Sequence, residues 1–238
     1  MEKEIRVETA DGAMTVFVAQ PDGEGPFPVA VVYMDAPGYR EALKEHARRF
    51  AADGYYVVLP DLFYRAGDKL TMDGEGSERI MPLVRSLTPG MVEADTRAVL
   101  DAIADDPAAA PGPKVVVGYC TGAKFALHVA ATMPDVVAAA GIHPGALATD
   151  EPDSPHLELP QVRAELYFAF AENDQSATPE SVERFREAIA DAGVSGVVER
   201  LPGTSHGFAM ADRPVYDRDA SERHFEKTLE LWRRNLSS

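Results

Sequence analysis

Residues 115–131 read VVVGYCTGAKFALHVAA. Three valines (Val115–Val117) lead into a turn bounded by Gly118 and Gly122, and the residues that follow make an amphipathic helical pattern. A buried strand that turns tightly into such a helix is half of a βαβ crossover, so the stretch predicts a parallel sheet flanked by helices. The only cysteine of the chain, Cys120, stands in that turn. Free cysteine is often core filler; in a strand-to-helix turn it is also where a nucleophile would be held up to a substrate.

The flanking sequence repeats the alternation. EIRVET and MTVFVAQ surround ADGA, whose Asp-Gly pair signals a hairpin, and PVAVVYM (28–34) is the continuous apolar run of a strand buried on both faces. REALKEHARRFAADG reads as a helix stopped by Gly54, and YYVVLP returns to strand. GMVEADTRAVLDAIADD is helical. After the 115–131 unit come the strands VVAAAGIH and AELYFAFA, the helix PESVERFREAIADAG, the strand VVERLPG and a closing helix, DRDASERHFEKTLELWRRNL. Residues 66–90 and 147–160 are irregular, and loops of that length are often functional. The expectation is one α/β domain over 1–238, with a mostly parallel central sheet, helices on its faces and an N-terminal antiparallel hairpin.

Composition narrows the function classes. In 238 residues with a hydrophobic fraction of 45%, no apolar run approaches the roughly 18 residues that span a bilayer. A net charge of -16 opposes phosphate backbones and anionic membranes, so neither nucleic acid nor membrane is expected as a partner. The segment MEKEIRVETADG is charged where a signal peptide is apolar, and one cysteine forms no internal disulfide. Both observations lead to the expectation of a cytoplasmic protein, monomeric or homodimeric.

Gly-Tyr-Cys-Thr-Gly is a G-x-C-x-G sequence, the thiol version of a nucleophile elbow. The strand must reverse sharply into the helix, and small residues two before and two after the nucleophile relieve the crowding. The helix N-terminus beneath it favours a thiolate and the oxyanion formed on attack. Such a nucleophile needs a base, and the base an orienting acid. Of the six histidines, His46, His128 and His224 lie in helical patterns, His143 ends a strand and His156 sits in a polar loop. His206, in LPGTSHGFAM, stands on a Gly-flanked loop after the last strand. In the order nucleophile, acid, histidine, the acid belongs beyond a strand between 120 and 206, where Asp174 and its neighbour Glu172 both qualify.

At these residues the chain resembles the dienelactone hydrolases, cysteine-dependent α/β-hydrolases. The resemblance runs from VVYMDAPG through YYVVLPDLFYR and GYCTGAKFAL to FAENDQSATP and PGTSHGFAM, nearly the whole chain. It implies the α/β-hydrolase fold, with Cys120 as nucleophile, His206 as base and Asp174 as its acid. It also implies an oxyanion hole from the backbone N–H groups of Ala36 and Thr121. After the strand preceding the first crossover helix the family has a glutamate that contacts the resting thiol; this chain has Asp35, shorter by about 1.5 Å of reach. Asp35 is the expected thiol-modulating residue.

Family members acting on dienelactone hold its carboxylate with arginines, one of them a few residues after the catalytic histidine. Here Met210 stands near that place and Arg213 slightly later. Arg79 and Arg85 in the irregular loop are candidates to meet an anion, and Tyr39 and Phe208 to line the pocket. No cofactor is expected, and no metal: His143 and His156 lack carboxylates at ligand spacing, and no phosphate-cradling glycine motif is present. The leading expectation is hydrolysis of a small-molecule lactone or ester through a Cys120 thioester. An acyltransferase or thioesterase using the same residues, and a non-catalytic ligand-binding homologue, are the alternatives.

Overall fold

The hairpin signalled by Asp11-Gly12 is formed by β1 (Glu2–Thr9) and β2 (Gly12–Ala19), paired from Glu2 with Ala19 to Thr9 with Gly12. The computed structural model describes residues 1–67 and 77–237, the side chains of residues 77–79 excepted. β3 (Phe27–Tyr33), α1 (Glu41–Ala52) and β4 (Tyr56–Pro60) follow, then α2 (Ser77–Ser86) and α3 (Pro89–Ala102). β5 (Ala109–Tyr119), α4 (Gly122–Thr132) and β6 (Val136–Ile142) make the unit read from residues 115–131. β7 (Glu165–Asn173), α5 (Pro179–Asp191), β8 (Gly196–Ser205) and α6 (Arg218–Leu236) complete the chain.

The eight strands lie in the order β1-β2-β4-β3-β5-β6-β7-β8. β1–β2 and β2–β4 are antiparallel, and the remaining pairs, from β4–β3 to β7–β8, are parallel. Parallel strands need crossovers that cover both faces, which is why the central strands are apolar throughout. Val29–Val32, Val115–Val117 and Ala138–Ala140 are all buried. Helix starts follow local chemistry: Thr88 and Thr178 cap α3 and α5 just before Pro89 and Pro179, and the Asp217 side chain accepts from the Ala220 amide at the start of α6. α6 lays Phe225 and Trp232 against Phe50 of α1, with ring centroids 4.9 and 4.6 Å apart.

Two irregular stretches have more structure than their sequence suggests. Residues 66–90 contain α2 and the start of α3, with residues 68–76 outside the description, and 147–160 runs into a short 3-10 helix, Pro155–Gln161. Among the described residues, no helix is long and apolar enough to cross a membrane. The consequence for function is positional. Asp35, Cys120, His143, Asp174 and His206 each stand one or two residues beyond the carboxyl end of β3, β5, β6, β7 or β8, along one edge of the sheet. That edge is where open α/β sheets hold ligands.

Candidate active site

Cys120 has φ 52°, a left-handed conformation that non-glycine residues rarely adopt. The turn is that tight because helix and strand almost touch. A Cβ on Gly118 would lie 2.0 Å from the Gly122 carbonyl oxygen, and one on Gly122 would lie 2.6 Å from the Tyr33 oxygen. The two glycines thus answer a real crowding. The Cys120 amide donates to Ile142 O at 2.9 Å and its carbonyl accepts from Ala123 N at 3.1 Å, fastening the elbow to β6 and to α4.

The sulfur points at His206. His206 Nε2 lies 3.0 Å from Cys120 Sγ, and Nδ1 lies 2.6 Å from Asp174 Oδ2. Asp174 is in turn oriented by Ser176, whose amide and hydroxyl both donate to Oδ1, at 2.8 and 2.6 Å. Of the two acids left open by chain order, the structure brings Asp174 to the histidine. Glu172 instead accepts from Gly203 N at 2.8 Å, at the edge of β8.

Charge follows from these contacts. Burial by itself would lower His206, but its hydrogen bonds to Asp174 and Cys120, with the charge of both, raise it to about 10. Burial pushes the Asp174 carboxyl up, yet bonds from His206 and Ser176 leave it below the ordinary carboxylate value. The partners of His206 thus hold its proton more tightly than a free imidazole holds it.

The group opens into a cavity of about 450 Å³. Ala36 and Thr121 line it, and among the described residues the turn hydrogen bonds at this corner use the amides of Gly38, Cys120 and Ala123 rather than theirs. Its walls are largely apolar, with Pro37, Met81, Val84, Leu147 and Met210, and two cations, Lys124 and Arg213, also face it. A groove of about 670 Å³ beside the start of β1 holds the Lys3–Asp106 ion pair and no nucleophile. Among the described residues, no group of three His, Cys, Asp or Glu is disposed to hold a metal.

Several expectations need correction. Asp35 lines the cavity, but both carboxylate oxygens are taken by Arg40, at 2.5 Å from Nη1 and 3.0 Å from Nη2. Burial raises the Asp35 carboxyl and Arg40 opposes the rise. Tyr39 faces away: its hydroxyl donates to Glu4 Oε1 at 2.6 Å and Lys44 sits over its ring. Phe208 is fully buried, behind His143, and does not reach the cavity. Arg85 is exposed and outside the cavity lining, and the Arg79 side chain lies outside the described residues. Sequence reasoning missed Lys124, whose spacing of one helical turn beyond Cys120 was the available signal. It also missed Arg40 and Asp212, for which there was none.

Residues 14–236 match the model of the dienelactone hydrolase family. An Escherichia coli (strain K12) protein provisionally named a carboxymethylenebutenolidase is 26% identical over 92% of this chain and 82% of its own length. A protein of the same provisional name from Synechocystis sp. is 25% identical, over 92% of this chain and 91% of its own. Among solved structures, a protein provisionally assigned as a dienelactone hydrolase from Klebsiella pneumoniae superposes with TM-score 0.89 and 22% identity, covering 97% of each chain. A dienelactone hydrolase-like promiscuous phosphotriesterase from metagenomic libraries gives TM-score 0.78 and 20% identity over 98% of each.

Proposed function

We propose that this chain, which belongs to the dienelactone hydrolase family and is a carboxylic ester hydrolase, cleaves lactones or small esters through a thioester on Cys120. The observation that carries the reading is the unbroken contact series Sγ–Nε2 and Nδ1–Oδ2, at 3.0 and 2.6 Å, opening into a cavity sized for a small ring.

In the proposed cycle, His206 enters protonated and donates to the Cys120 sulfur, which attacks the substrate carbonyl as thiolate. The negative charge that develops on the carbonyl oxygen is met by the Ala36 and Thr121 amides and by the N-terminus of α4. As the C–O bond breaks, Nε2–H passes its proton to the departing oxygen, which in a lactone stays tethered to the acyl chain. The now neutral His206 takes a proton from water, whose oxygen attacks the thioester. The acid is released and the thiolate–imidazolium pair is restored. Asp174 keeps Nδ1–H pointed at itself throughout, so Nε2 is the nitrogen that exchanges the proton.

The relatives' shared name specifies an unsaturated five-membered lactone bearing a carboxymethylene group. A substrate of that kind would place its ring against Leu147, Met210 and Val84 and its carboxylate toward Lys124 or Arg213. A reducing compartment preserves such a thiol, and we place the enzyme in the cytoplasm. A panel of lactones and p-nitrophenyl esters tests the reading, with Cys120→Ala as the blank. Turnover by the wild-type protein and none by the variant is expected. Equal rates from the two would overturn it.

A further inference from the structure

One side chain of the cavity has no part in the chemistry above. His143 follows β6, lines the cavity with 1% of its surface exposed, and has φ 40°, again in the region that favours glycine. Its amide donates to Ala169 O at 2.8 Å, which pins this unfavourable conformation to β7. Among the described residues, neither ring nitrogen has a hydrogen-bond partner. The ring centroid lies 5.3 Å from that of His206 with the planes at 64°, an edge-to-face contact. Phe208 at 5.4 Å and Tyr119 at 5.9 Å back it from behind.

His206 is gripped at two atoms, Nδ1 by Asp174 and Nε2 by Cys120. Two hydrogen bonds at nearly opposite corners of a planar ring define an axis and leave the ring free to roll about it. Rolling keeps both N–H···acceptor lengths but carries Nδ1–H out of the plane of the Asp174 carboxylate, where an sp² oxygen accepts best. A contact away from the axis is needed, and the His143 ring supplies one. We propose that His143 is the positioning residue for His206, its edge-on ring stopping the imidazole from rolling about the Asp174–Cys120 axis. The inference rests on the reading of His206 as the proton-transfer group.

The costs borne at His143 are consistent with that role. A left-handed backbone and two unmatched nitrogens are each unfavourable, and such features persist where the surrounding structure enforces them, commonly at functional sites. Burial and the charge on His206 hold His143 far below the ordinary histidine range, so it stays neutral and adds no second cation beside the base. The other groups around the base are the acceptors Asp174 and Cys120 and the cavity cations Lys124 and Arg213.

The test compares His143→Ala and His143→Phe with the wild-type enzyme by steady-state kinetics and by the downfield proton resonance of His206 Nδ1–H. His143→Ala is expected to lower kcat about tenfold with little change in KM, the upper range of an edge-to-face contact, and to broaden or abolish the resonance. His143→Phe, which keeps the ring and removes the nitrogens, is expected to retain the resonance and hold kcat within about threefold. If the alanine variant does not fold, His143→Leu, which fills the space without a ring, replaces it. A ring-less variant with wild-type kcat and resonance would overturn the proposal, as would a phenylalanine variant as impaired as the ring-less one. Should the wild-type protein turn over no ester, the chemical reading falls, and the resonance still decides His143.

Discussion

Replacing Asp35 by asparagine separates two roles for that residue, a carboxylate facing the Cys120 thiol and a carboxylate consumed by Arg40. The Asp35 and Arg40 side chains are 5% and 12% exposed, and the guanidinium holds Asp35 through Nη1 and Nη2 at 2.5 and 3.0 Å. Arg40 also donates from Nε and Nη2 to Asp212, at 2.6 and 3.2 Å, and from Nη1 to Gly38 O at 3.2 Å. Five donors therefore meet five acceptor contacts. Asparagine keeps one acceptor oxygen, sets an NH₂ against an N–H, and removes the charge. Charge-assisted hydrogen bonds contribute about 1.5–3 kcal/mol each, and Asp212 still grips Arg40, so the loss is about 2 kcal/mol. For a domain of this size Tm should fall by about 4–8 °C in scanning calorimetry. Because Arg40 takes both Asp35 carboxylate oxygens and leaves neither to bond the sulfur, iodoacetamide labelling of Cys120 in the variant should stay close to the wild-type curve across pH. An unchanged Tm together with faster labelling at neutral pH would refute the argument and put the carboxylate on the thiol.

Asp174→Asn should lower kcat/KM by about 10²- to 10⁴-fold, since the amide no longer selects the reactive histidine tautomer, while Glu172→Gln stays near wild type; the reverse ranking would name Glu172 as the acid. Gly118→Ala should be inactive or insoluble, because its Cβ would lie 2.0 Å from backbone, whereas Gly145→Ala, with nothing nearer than Ser176 Oγ at 3.5 Å, should turn over substrate normally. His128 lies 2.8 Å from Glu158 and 3.3 Å from Glu93, which raise it above the ordinary histidine value although burial lowers it. That stabilisation is fully present below about pH 6.5, the unfolded value, and disappears as pH rises through the raised folded value. The Tm deficit of His128→Gln should accordingly be largest in mild acid and shrink in alkali, and a pH-independent deficit would count against it. Turnover should hold from neutral pH upward and decline as His206 loses its proton near 10, with a decline centred near 6.5 counting against the imidazolium.

The local features of this protein were legible in its sequence. The elbow at Cys120 is written in 115–131 because strand, glycine-bounded turn and helix are adjacent in the chain, and each is set by short-range sterics and side-chain period. Asp174 and His206 were legible as candidates because a parallel sheet delivers every strand end to the same edge, so chain order stands in for position. The choice of Asp174 over Glu172 needed either the family resemblance or the structure, since residues two apart share one face of a strand and its period cannot separate them. What only the tertiary structure decided was which side chains meet across that edge. Arg40 and Asp212 are 172 residues apart and touch because the loop after β3 and the loop after β8 close over the same cavity. Tyr39 left the pocket for Glu4 of β1, and His143 was placed edge-on to His206 by the pairing of β6 with β7. Periodicity sets which face of its own element a residue takes; the partner it finds there depends on strand order and loop closure, which arise only when distant segments bury one another.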